Sequence, residues 1–78
     1  MRTQPHVNER IAAAASAALR SKGISQRDAA ARTGIPLATL SRRLTGQSPF
    51  IVTELELIAS LVDLTLSQLL AQGEGNAA

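Results

Sequence analysis

Residues 24–50 read ISQRDAAARTGIPLATLSRRLTGQSPF, and the spacing of their helix starts and stops decides the fold. Ser25 is placed as a helix N-cap, with Asp28 three residues on near the positive end of the helix dipole. A helix is expected over Gln26–Thr33, stopped by Gly34. Pro36 has no N–H to donate and fits only the first turn of a new helix, so the next helix begins near Leu37, continues through Leu44 and stops at Gly46. Leu37, Leu40 and Leu44 form a narrow apolar stripe at i, i+3, i+7. Ala38, Thr39, Ser41, Arg42, Arg43 and Thr45 then point elsewhere.

Upstream, Val7, Ile11, Ala14, Ala15, Ala18 and Leu19 recur at three- and four-residue steps, which predicts a first helix from about Gln4 or Asn8 to Ser21, capped by Gly23. Downstream, residues 47–52 form a loop containing Pro49, from which Phe50 with Ile51 or Val52 plugs the core. Thr53-x-x-Glu56 has the form of a capping box opening a fourth helix to about Val62, with Leu55, Ile58, Ala59 and Val62 buried. Thr65-x-x-Gln68 repeats the device and opens a fifth helix over Leu66–Ala71, burying Leu66, Leu69 and Leu70 and closed by Gly73. The expected architecture is all-α: a compact five-helix domain over residues 1–72, with a loose tail at 73–78.

Composition agrees with helices. The chain has 78 residues, 45% of them hydrophobic, and its fourteen alanines and eleven leucines carry most of that fraction. Such a length holds one fold and no separate catalytic domain. Cysteine is absent and His6 is the single histidine, which removes disulfides, thiolate metal sites and cysteine nucleophiles. Neither a metal nor a cofactor is expected. Phe50 is the lone aromatic residue, so base-stacking platforms for single strands have nothing to stack with. No paired histidine and carboxylate constellation or glycine-rich phosphate loop points to an enzyme or to a small-molecule substrate. Residues 1–8 are polar and Ile11–Leu19 is short and flanked by Arg10 and Arg20, which is neither a signal segment nor a membrane span. The chain reads as cytoplasmic.

The net charge of +2 hides a division. All eight Lys and Arg lie in residues 1–48 against two acids, whereas residues 49–78 carry four acids and no base. A polyanion partner is therefore expected for the first half. Two helices of about two turns, joined across a single glycine, form the helix-turn-helix arrangement, in which Gly34 permits the positive φ of the turn and the second helix enters the DNA major groove. Ala29 and Ala30 let the two helices approach closely at their crossing.

The same stretch, with TELELIASLVDLTLSQLL after it, resembles the phage lambda repressor and Cro type of helix-turn-helix domain, from about Asn8 to Ala71. Gln26, Ala30, Gly34, Leu40-Ser41-Arg42, Gly46 and Leu69-Leu70 occupy the family's positions. Three departures stand out: Pro36 replaces a frequent serine cap, Arg43 stands where an apolar residue is common, and the loop after Gly46 carries no cation. The resemblance implies a sequence-specific, double-stranded DNA-binding regulator, a phage or prophage repressor of the Cro or immunity kind, that occupies an operator in the nucleoid as a homodimer on half-sites about 34 Å apart. An antitoxin or anti-repressor that docks on a protein is the competing reading.

With the Leu37–Leu44 helix in the groove, Arg42 and Arg43 are the leading readers, able to take guanine O6 and N7 bidentately. Ala38 and Thr39 press methyl groups against thymine, and Ser41 donates or accepts. Ser25, Gln26, Arg27 and Arg10 are assigned to phosphates. Arg20, Lys22 and Arg32 lie near helix C-termini, where cations favour the dipole without a ligand, and Arg2 is a candidate for an N-terminal arm. Leu57, Leu61 and Leu64 exceed one inward stripe and are expected to leave an apolar patch for dimerisation.

Overall fold

The stop signals at Gly23, Gly34 and Gly46 become corners of the chain. The structure, a computed structural model, describes residues 7–75, with side chains to residue 73. Its helices are α1 (Val7–Ser21), α2 (Gln26–Thr33), α3 (Leu37–Leu44), α4 (Val52–Leu61) and α5 (Leu66–Gly75). Among the described residues there is no strand. His6, the Arg2 arm and residues 76–78 lie outside the described residues.

Local chemistry accounts for the corners. The Ser25 hydroxyl accepts from Asp28 N at 3.0 Å and starts α2. Gly34 ends it in the left-handed conformation, φ 81°, its N–H donating to Ala30 O at 2.9 Å. The Thr33 hydroxyl donates to Ala29 O at 2.7 Å and accepts from Ile35 N at 3.3 Å, satisfying groups the turn would leave open. At Pro36, φ −56° and ψ 140°, no side chain caps α3, yet the Pro36 carbonyl accepts its first helical bond from Leu40 N at 2.9 Å. The ring's fixed φ takes the place of the missing cap. At α5 the reciprocal box is present: Gln68 N donates to Thr65 Oγ1 at 3.0 Å, and Thr65 N donates to Gln68 Oε1 at 2.8 Å.

Leu40, Ile58 and Leu69 are fully buried and join α3, α4 and α5 at the centre. Ala14, Ala15 and Ala29 surround them at 2% exposure or less, small enough for the backbones to close in. Helix α1 packs along α5 and on α3, and α2 packs on both α3 and α4. Burying a leucine of this kind favours the folded state by about 1.5–3 kcal/mol.

Several expectations are corrected. Helix α4 begins one residue before Thr53, and the side chain that reaches back over its start is Glu54, which accepts from Ile51 N at 3.1 Å; Thr53 and Glu56 are exposed. The earlier register prevails because it gives Glu54 two sets of donors, the backbone of Ile51 and the guanidinium of Arg43. Phe50 packs against the core as expected, whereas Ile51 and Val52 are exposed. Leu61 and Leu64 pack on the core and only Leu57 of that trio is exposed, so the expected patch shrinks to one leucine. Val7 is exposed at the start of α1. Leu37, placed in the inward stripe by its spacing, is 38% exposed.

Helix α5 also runs through Gly73 to Gly75 instead of closing at Gly73, so the boundary drawn between residues 72 and 73 falls inside a helix. Gly73 is buried on α1: a Cβ there would lie 3.3 Å from the Arg10 carbonyl oxygen. The glycine thus serves close helix packing and does not end the helix.

Candidate nucleic-acid interface

Helix geometry sorts the side chains of α3 into two faces. At about 100° per residue, Leu37, Ser41, Thr45, Ala38 and Arg42 fall within an arc of about 140°. Leu40 and Leu44 adjoin the Leu37 edge of that arc, turn to the core and are buried, and Thr39 and Arg43 lie between Arg42 and Leu40 around the rest of the helix. The outward arc faces the start of α2. Gln26, Arg27, Leu37, Ala38 and Ser41 together line one open concavity, which joins the first turns of both helices.

Four of the predicted site residues, Gln26, Arg27, Ala38 and Ser41, meet in that concavity, and Arg42 is exposed one position further along α3. Arg27 and Arg42 make no ion pair among the described residues, whereas the cations assigned to structure do: Arg32 Nη1 lies 3.5 Å from Asp28 Oδ2 and Lys22 Nζ 3.3 Å from Asp63 Oδ2. The Asp63 partner sits in the turn between α4 and α5 with φ 63°. Ser25 is exposed beside Gln26 and its hydroxyl is committed to capping, while the first amides of α2 lie at the positive end of the helix dipole.

Two predicted residues are placed apart. Arg10 lines a separate groove with Val7, Ile11, Leu70 and Gly73, between α1 and α5. Arg43 turns to the protein: its Nε donates to Glu54 Oε1 at 2.8 Å and its Nη2 to Glu54 Oε2 at 3.3 Å, with the two side chains 20% and 12% exposed. Burial works to raise the Glu54 carboxyl. The hydrogen bonds from Arg43 and Ile51 N–H and the attraction of the Arg43 charge outweigh it and hold that carboxyl below its ordinary value. Thr39 is half-buried, as Ser41 is, and lies between Arg42 and Arg43 around the helix.

Sequence reasoning missed Leu37 as a surface residue and Glu54 as the partner of Arg43. A signal for the second existed: a long cation at a position where apolar residues are common faces the protein and needs a counter-charge there.

The helix-turn-helix family pattern matches residues 16–69. Two crystal structures of the clp gene regulator ClgR from Corynebacterium glutamicum share the fold. One superimposes with a TM-score of 0.89 at 19% identity, covering 95% of this chain and 79% of that one. The other gives 0.87 at 20% identity, covering 96% and 97%. No curated protein matches the chain. The match over residues 16–69, together with the Gly34 turn and the outward polar face of α3, places this chain in the lambda repressor/Cro-type helix-turn-helix family of DNA-binding transcription regulators.

Proposed function

We propose that the protein is a sequence-specific repressor that occupies operator DNA with α3 in the major groove, as a phage or prophage repressor of the Cro or immunity kind does. The observation that carries this reading is the outward arc of α3, on which Arg42 is exposed and, among the described residues, without an ion pair, next to Ser41 of the concavity formed with the first turn of α2. Arg42 reads a guanine, and Ala38 and Ser41 lie against neighbouring base edges. Gln26, Arg27 and the backbone at Ser25 hold phosphates and set the register. Arg43 has a protein partner in Glu54, so its part is to hold α3 in place. The place of Arg10 between α1 and α5 lends no support to a phosphate role.

One copy offers α3 alone to the groove, a few base pairs of contact. A homodimer on two half-sites one helical turn apart supplies the specificity an operator needs. Selection of bound duplexes from a random DNA pool, followed by titration of the enriched sequence at two salt concentrations, tests the proposal. It predicts an inverted repeat and an affinity that falls steeply with salt. Weak, salt-sensitive binding to every duplex, without enrichment, overturns it and favours a protein partner.

A further inference from the structure

The first turn of α3 presents only apolar side chains to the concavity it shares with α2. Leu37 is 38% exposed and Ala38 beside it is exposed, while Pro36 before them offers neither an N–H nor a polar side chain. Nothing at these positions can pair with the polar pattern of a base edge. Resting on the DNA-binding reading above, we propose that Leu37, with Ala38, is a methyl-reading surface that selects a 5-methylpyrimidine, thymine in ordinary DNA, under the start of α3.

Chemistry narrows the occupant to this group. In the major groove the C5-methyl is the apolar feature of a base pair, and the remaining edge atoms are donors or acceptors. A leucine pressed against cytosine or a purine would bury those atoms without partners, so the patch discriminates by exclusion as well as by attraction. The surface is one leucine and one alanine rimmed by Gln26, Arg27 and Ser41, far below the area a protein partner covers. Among the described residues the other exposed large apolar ones, Val7, Ile51, Val52 and Leu57, lie on α1, the loop and α4. Leu37 is the one that shares a concavity with the start of α2.

The test uses the duplex enriched by the wild-type chain, with each thymine replaced singly by deoxyuridine, which removes the methyl and keeps the hydrogen-bonding pattern. One thymine in each half-site is expected to weaken binding about threefold to sixfold when its methyl is removed. In Leu37→Ala, a change at an exposed position with folding checked by its helical circular dichroism, the same replacement is expected to have at most about half that effect on a logarithmic scale, with the salt slope unchanged. A preferred duplex that ignores every uracil, or an undiminished uracil effect in Leu37→Ala, overturns the methyl reading alone. Failure to enrich any duplex overturns the operator-binding reading and this inference with it.

Discussion

Arg43 in the last turn of α3 and Glu54 in the first turn of α4 are joined by a two-point hydrogen bond, Nε to Oε1 at 2.8 Å and Nη2 to Oε2 at 3.3 Å. Glu54 Oε1 also accepts from Ile51 N at 3.1 Å. One carboxylate therefore fastens the helix that faces outward, the loop that follows it and the start of the next helix. The fork of arginine suits this role because both donors are fixed in one plane. The adjacent Arg42 points away and is exposed, so of two neighbouring arginines one is held by the protein and the other faces outward.

Truncating each arginine should separate the two roles. Arg43→Ala leaves Glu54 short of its charged partner and is expected to lower stability by about 2 kcal/mol. For a chain of this size the melting temperature then falls by about 8–16 °C. Arg42→Ala, at an exposed position, should change stability by less than about 0.5 kcal/mol. Equal melting temperatures for the two variants would show that the Glu54 pair contributes nothing.

The depressed Glu54 carboxyl makes stability depend on pH on the acid side. Its folded value lies below its ordinary one, so its contribution is fully present above the unfolded carboxylate range, about pH 4.3, and is lost as pH falls through the folded value. Urea midpoints measured between about pH 5 and pH 3 should therefore decline more steeply for the wild type than for Glu54→Gln, which carries no charge to lose. Parallel declines would mean that the exposed carboxylates common to both proteins account for the whole acid sensitivity.

At Gly34 the cost of a side chain should come from the backbone alone. Its φ is 81°, and no neighbouring atom lies within 4 Å of where a Cβ would stand. Gly34→Ala should cost about 1–2 kcal/mol. Gly34→Asn should cost less, because asparagine tolerates the left-handed region. Thermal melts of the two variants in that order support the account, and a neutral Gly34→Ala would contradict it.

The turn between α2 and α3 could be read in the sequence because its signals are local. Ser25, Gly34, Pro36 and Gly46 each constrain their own backbone, and α2 and α3 have the bounds those residues predict. Thr65 and Gln68 are likewise three residues apart and bond reciprocally. What escaped was settled across the fold. The choice of Glu54 over Glu56 depends on Arg43, eleven residues earlier and on another helix. Leu37 precedes Leu40 by three residues, about 300° of helix rotation, which sets it at the edge of the stripe and lets the α2 crossing decide its exposure. Gly73 ends no helix because α1 needs its missing side chain. Of the candidate interface, the meeting of Gln26, Arg27, Ala38 and Ser41 in one concavity follows from the turn that these local signals mark, while the engagement of Arg43 by Glu54 was not legible.

The phosphate contacts should be separable by salt. Removing one cation that neutralises a phosphate releases one fewer counterion, so Arg27→Ala should weaken binding evenly across sequences and reduce the salt slope by about 1. Gln26→Ala, which removes a neutral contact, should weaken all sites evenly and leave the slope unchanged. Titration of the enriched duplex over a range of salt concentrations distinguishes them, and an unchanged slope for Arg27→Ala would take that residue off the phosphate.

The measurement that bears most directly on α3 as the reading helix is a base-pair substitution scan of the enriched duplex, bound by the wild type and by Arg42→Ala. The wild type should lose about 1–3 kcal/mol when one particular G·C pair in each half-site is changed. Arg42→Ala should bind all substitutions at that pair alike while keeping its preferences elsewhere. If Arg42→Ala discriminates at every position as the wild type does, α3 does not read the operator as this arrangement of the chain requires.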